Sequence, residues 1–116
     1  MHELAVTENI LNIAIKYAED ANALKVTDLY LVIGSFASIV DESVQFYWEI
    51  LTKDTICSGS KLHFKKIKAE MKCLDCEKTY KIKRQLEPCP KCNGIRVKLI
   101  KGDEFFLDSI EIQRNN

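Results

Sequence analysis

A chain of 116 residues, 47% hydrophobic and 29% charged, can bury one modest core plus a small appended module, and is too short for two full domains. Seventeen Lys and Arg balance seventeen Asp and Glu, so no partner class can be read from net charge. No stretch approaches the ~18 apolar residues of a membrane span, and the start Met-His-Glu-Leu lacks the basic and apolar segments of a signal peptide; a cytoplasmic location is expected.

From Val6 to Ala21, the apolar residues Val6, Ile10, Ile13, Ala14, Tyr17 and Ala21 recur at steps of three and four, which predicts a helix with that face buried and Thr7 as its cap. Residues 26–33 are β-branched and aromatic and stop at Gly34; they predict a strand with Leu29, Leu31 and Ile33 facing inward. After an irregular stretch, Asp41 stands where an N-cap belongs, and Val44, Tyr47, Trp48 and Leu51 mark a second amphipathic helix.

Two later segments share an unusual pattern. In 62–71 the apolar set is Leu62 and Phe64, then Ile67, Ala69 and Met71; in 105–112 it is Phe105 and Leu107, then Ile110 and Ile112. Both change parity midway. Antiparallel pairing of Leu62 with Ile112 and Ile67 with Leu107 would make the two changes coincide, so that register is expected. The fold class is then α+β: a small antiparallel sheet of about three strands covered by two helices, with an inserted zinc-ribbon module. Residues 1–71 with 103–116 form the main domain, and 72–102 the insertion.

The insertion carries Cys73-x-x-Cys76, twelve residues, then Cys89-x-x-Cys92. In a reducing compartment such pairs are metal knuckles before they are disulfides. Two knuckles on facing hairpins close a tetrahedron of thiolates around Zn(II), at about 2.3 Å per Zn–S bond. Four thiolates leave no open position, so this zinc is expected to be structural. Iron–sulfur ligation by the same cysteines stays open on chemistry, whereas a redox C-x-x-C would need a βαβ context that is missing here. Asn93-Gly94 can supply positive φ after the last ligand. Cys57 reads as a small buried hydrophobe and His63 as a half-exposed strand histidine.

The even overall charge hides a dipole. Residues 65–101 hold twelve basic and four acidic residues, against four and nine in 1–64 and one and four in 102–116. The basic cluster suggests an anionic partner, partial compensation of a dianionic zinc–thiolate centre, or a solvated face.

The amino terminus offers a second metal site. His2 is too bulky for the usual trimming of the initiator, so Met1 keeps a free amine. That amine, the amide nitrogen of His2 and its imidazole can close fused chelate rings, with the next amide or a nearby carboxylate as fourth donor. Square-planar nitrogen ligation of this kind favours Ni(II) or Cu(II). Any chain can begin Met-His, however, and spacing alone does not separate a metal site from an ordinary surface terminus.

The combination separates them. A chain that opens Met-His-Glu, ends its first strand at Ile33-Gly34, carries the paired C-x-x-C knuckles and closes on Ser109-Ile110-Glu111 resembles the hydrogenase nickel-insertion accessory proteins, the HypA/HybF family, along its whole length. The resemblance implies a nickel metallochaperone that is not an enzyme, with Ni(II) as cargo at Met1, His2 and Glu3 and with Asp41 as the nearest match to an extra acidic ligand. It also implies structural Zn(II) at Cys73, Cys76, Cys89 and Cys92. The implied partners are a nickel-handling maturation GTPase and the large-subunit precursor of nickel–iron hydrogenase, with urease open as a second recipient. A monomer or weak homodimer without membrane contact is expected. The competing reading is a basic zinc-ribbon module that binds nucleic acid or a transcription complex. Against it, Tyr80 is the single aromatic residue in 70–101. A zinc hydrolase has no support, since there are two histidines in all and no catalytic grouping.

Overall fold

The computed structural model describes residues 3–82 and 85–114. In chain order the elements are α1 (Glu3–Asp20), β1 (Ala23–Gly34), α2 (Asp41–Leu51), β2 (Lys61–Ile67), β3 (Ala69–Cys73), β4 (Thr79–Ile82), β5 (Val97–Lys101) and β6 (Phe105–Arg114). They form two three-stranded sheets, ordered β2-β1-β6 and β4-β3-β5. The described residues fall into two compact units, one of 3–31, 39–65 and 106–114, the other of 32–38, 66–82 and 85–105. The expected α+β class, two helices with small sheets and a four-cysteine module, is what the chain adopts.

In the first unit α1 begins at Glu3, four residues before its expected cap, and buries Thr7, Ile10, Leu11, Ala14 and Ala18. The buried stripe is therefore rotated from the one the apolar residues suggest, and Tyr17 stays 63% exposed. Thr7 is the reason. Inside the helix its hydroxyl donates to the Glu3 carbonyl at 2.6 Å, so a polar residue can lie in the core with nothing unpaired. The helix ends where Asn22 turns left-handed at φ 55°. Leu29, Leu31 and Ile33 are buried on β1 as expected, together with Val26.

The second helix corrects another expectation. Its N-cap is Val40, in extended backbone and without a side-chain capping bond; Asp41 is the first helical residue. Its Oδ1 accepts the Glu42 N–H at 3.0 Å, and with Glu42 it places two carboxylates in the first turn, where the helix dipole favours them. Val44 and Trp48 are the fully buried residues of this helix.

A buried polar chain anchors the loop after α2. Trp48 Nε1–H donates to Ser60 Oγ at 2.9 Å, and the Ser60 hydroxyl donates to the Cys57 carbonyl at 2.5 Å. Cys57 is fully buried, as expected, and burial pushes its thiol up to about 11. Ser60→Ala would leave the indole N–H unpaired in the interior. We expect it to cost ~1–3 kcal/mol in urea unfolding followed by fluorescence of this sole tryptophan.

Both parity changes are present, in the burial patterns of β2 and β6. The register inferred from them is not. β1 lies between the two strands, so β2 and β6 are opposite edges of one sheet and share no ladder. β6 instead runs antiparallel to β1, with the Gly34 N–H donating to the Glu104 carbonyl at 2.8 Å and the Thr27 hydroxyl reaching the Glu111 carbonyl at 3.3 Å. Met71 likewise belongs to neither, but to the second sheet.

In the second unit β3 pairs antiparallel with β4 and β5. Ala69, Met71 and Ile82 form its small core, with Phe36, Tyr80, Val97 and Leu99 packed against it. Residues 34–36 are tied in by backbone and side chain: the Ser35 N–H donates to the Ile67 carbonyl at 2.9 Å, the Phe36 N–H to the Gly102 carbonyl at 2.6 Å, and the Ser35 hydroxyl accepts the Ala69 N–H at 3.0 Å.

Candidate metal centres

The four cysteines of the insertion converge. Their sulfurs lie within 4.8 Å of one another, with Cys73 Sγ 3.6 Å from Cys92 Sγ and Cys76 Sγ 3.5 Å from Cys89 Sγ. A tetrahedron with Zn–S bonds of about 2.3 Å has edges of about 3.8 Å, so the cluster needs only small adjustments to close on one ion.

The two knuckles are built alike. In the first, the Cys73 N–H donates to the Lys78 carbonyl and the Glu77 N–H to the Cys73 carbonyl, both at 2.9 Å. In the second, the Cys89 N–H donates to the Gly94 carbonyl at 3.0 Å and the Asn93 N–H to the Cys89 carbonyl at 2.8 Å. The fourth residue after each leading cysteine is left-handed, Glu77 at φ 64° and Asn93 at φ 58°. Asn93 meets the expectation; Glu77 is a residue type that gives no such signal. The Gly94 N–H points at Cys92 Sγ from 3.4 Å, so backbone dipoles face the sulfurs as expected of these turns.

Electrostatics makes the cluster demand a cation. Burial opposes ionisation of Cys89, but the N–H groups of Cys92 and Lys91 and the neighbouring thiols outweigh it and bring Cys89 down to about 7. For Cys92 the Gly94 N–H favours the thiolate, yet the adjoining thiols and burial push it up to about 12. One thiolate is readily held; four at this spacing require a positive charge among them. The thiol cluster has no open side for substrate chemistry once four sulfurs are engaged, which leaves it a role in holding shape.

Of the other proposed ligands, Met1 and His2 lie outside the described residues. Glu3 opens α1, and its Oε2 accepts the Val40 N–H at 3.3 Å. That bond sets Glu3 beside the start of α2, where Asp41 follows Val40 in the chain. His63 is explained without a metal: its Nε2 is 2.8 Å from Asp28 Oδ1, its ring stacks on Tyr30 at 4.8 Å, and the hydrogen bond holds the Asp28 carboxyl below its usual range. Among the described residues, the four cysteines are the one grouping of three or more potential ligands.

A family model described as "Hydrogenase/urease nickel incorporation, metallochaperone, hypA" matches residues 1–112. The chain belongs to the HypA family. Among its HypA relatives, the hydrogenase maturation factor of Dehalococcoides mccartyi is 42% identical over 112 residues, covering 97% of this chain and 94% of that one. The corresponding factor of Caldanaerobacter subterraneus is 39% identical over 114 residues, covering 97% and 100%. In fold, the chain is similar to the solution structure of the Ni metallochaperone HypA from Helicobacter pylori, with a TM-score of 0.67 over 99% of this chain and 100% of that one at 22% identity. A second solution structure of a HypA protein gives a TM-score of 0.74 over 99% and 98% at 23% identity. The family's described work is nickel incorporation for hydrogenase and urease, which makes the nickel reading the function of this chain and sets aside the nucleic-acid ribbon. A maturation factor and metallochaperone points to a non-enzyme. No described helix is long and apolar enough to cross a membrane.

Proposed function

We propose that the chain carries one Ni(II) at its amino terminus, held by the Met1 amine, the His2 imidazole and the backbone of His2 or Glu3, with a carboxylate of Glu3 or Asp41 as a further donor. One observation supports this reading above the others: the Val40 N–H bond to Glu3 brings the start of α1 to the start of α2, so Glu3 lies close to the residue before Asp41 although the two are distant in sequence. Residues 1–71 with 103–116 then handle nickel, while 72–102 hold structural zinc through Cys73, Cys76, Cys89 and Cys92. The ion passes by ligand exchange to a nickel-handling GTPase or onward to a hydrogenase large-subunit precursor, with urease as a second recipient. A terminal site suits this task, since an incoming donor can replace one ligand at a time. No bond in a substrate is made or broken, and the work is done in the cytoplasm.

The test is isothermal titration of untagged protein with Ni(II), before and after acetylation of the amine, alongside His2→Ala. Wild type should bind one equivalent; acetylated protein and His2→Ala should lose it while keeping zinc. Unchanged nickel affinity in untagged His2→Ala would refute the assignment. Asp41→Asn is expected to weaken affinity less than either, because the nitrogen donors set the ligand field.

A further inference from the structure

The register of the second sheet sorts the lysines around the cysteine module into a pattern that folding does not explain. Along β3, Ala69, Met71 and Cys73 are buried, so Glu70 and Lys72 lie on the opposite, outer face. Their partners complete two rows across that face. Lys81, Glu70 and Lys101 form one; Thr79, Lys72 and Lys98 form the other.

In the first row Lys101 Nζ is 3.3 Å from Glu70 Oε2, which uses up the single carboxylate. In the second row Lys72 stands directly across from Lys98, with threonine on its other side. Opposed like charges in a ladder destabilise it. Among the described residues, Lys72, Lys81 and Lys98 have no acidic partner. Compensation of the thiolates does not account for them either, since strand alternation places the Cys73 side chain on the buried face. Solubility alone would be served as well by glutamine, without the repulsion.

We infer that this outer face of β4-β3-β5 is a docking surface for an acidic, extended segment of a partner protein. Neighbouring strands are about 4.8 Å apart and alternate residues of an extended chain about 7 Å apart. Carboxylates at every second position of such a segment, laid along the strands, match the separation of the two rows. A nucleic acid fits less well. The face has no aromatic residue for base stacking, Tyr80 being packed against the core on the other side, and Glu70 in the middle of its row opposes a phosphate chain. A protein segment can instead offer Glu70 a backbone N–H or a hydroxyl.

The experiment uses the zinc-loaded full chain and a fluorescein-labelled peptide of alternating glutamate and threonine, read by anisotropy over a salt series. Wild type should bind it, more weakly as salt rises. The double variant Lys72→Gln/Lys98→Gln should bind about three- to tenfold more weakly. Its thermal midpoint should be equal or higher, because the like-charge pair is gone. Lys81→Gln, outside that pair, should also weaken binding, and Glu70→Gln should strengthen it. Equal peptide affinity in wild type and double variant would overturn the inference. So would oligothymidylate binding more tightly than the peptide and losing that affinity in the double variant, which would assign the face to nucleic acid. Sedimentation showing self-association that the double variant abolishes would assign it to a second copy and overturn it too. None of these readouts involves nickel, so their failure is separable from failure of the terminal site.

Discussion

Cys73→Ser is expected to release zinc and unfold the second unit while the first remains folded. The apolar core of that unit is three buried residues with four partly buried neighbours, too little to offset the ordering of its backbone. A structural zinc site supplies ~10–16 kcal/mol of apparent binding energy in small modules, and here that energy is folding energy. Amide dispersion in NMR spectra should collapse for 66–105, whereas Trp48 fluorescence, which reports a buried site in the first unit, should change little. Cys57→Ala is the control and should retain zinc, because Cys57 is buried in the loop after α2 and is not one of the four clustered sulfurs. Retained dispersion and full zinc content in Cys73→Ser would contradict the structural role. pH dependence follows with a definite sign. The free Cys92 thiol, pushed up to about 12, holds its proton at neutral pH, so zinc binding expels it and affinity falls as pH falls. Zinc release on raising pH from neutral would have the wrong sign.

Gly102→Ala should cost at least ~3 kcal/mol, for two independent reasons. Its φ of 118° is a conformation side chains rarely adopt, and a Cβ there would lie 2.5 Å from the Ala69 Cα and 2.8 Å from the Ala69 Cβ. Gly34→Ala should be comparably costly through sterics alone, since its Cβ would fall 2.0 Å from the Gly102 carbonyl oxygen. The obstacle at both positions is backbone or a core alanine, which cannot swing aside as a flexible side chain would. Gly59→Ala separates the contributions. It has φ 77° but open space around the site, so it should lose only ~1 kcal/mol. Chemical denaturation of the three variants checks the order. Equal losses at Gly59 and Gly102 would mean that backbone conformation, and not close approach, governs this region.

What the sequence revealed depended on whether a feature was local. Cysteine spacing is local chemistry, and the four sulfurs meet as expected. Alternation along β1 and the parity changes in β2 and β6 were legible because burial leaves a period in the chain. Which strand lies beside which leaves none, and β2 and β6 show the same change of face although β1 separates them. The face of α1 was misread because hydropathy ranks Thr7 as polar, while the helix satisfies its hydroxyl internally. Asp41 was misread by one residue, because a carboxylate favours the first turn as well as the cap. The approach of Gly34 to Gly102 and the left-handed Glu77 carried no signal at all: absence of a side chain has no hydropathy, and glutamate seldom marks positive φ. The lysines were counted correctly as a cluster, but only the ladder register divides them into rows.

The bond between Glu3 and Val40 also bears on how tightly a cargo ion could be kept. In the proposed nickel site, a Glu3 Oε2 that turned to the ion would loosen its hold on the Val40 amide, and an amide left without its acceptor would draw the oxygen back. On that proposal the Val40 amide competes with the ion for the same oxygen. Capture and surrender would then be two positions of one carboxylate, and the Val40 amide resonance would register which of them is occupied.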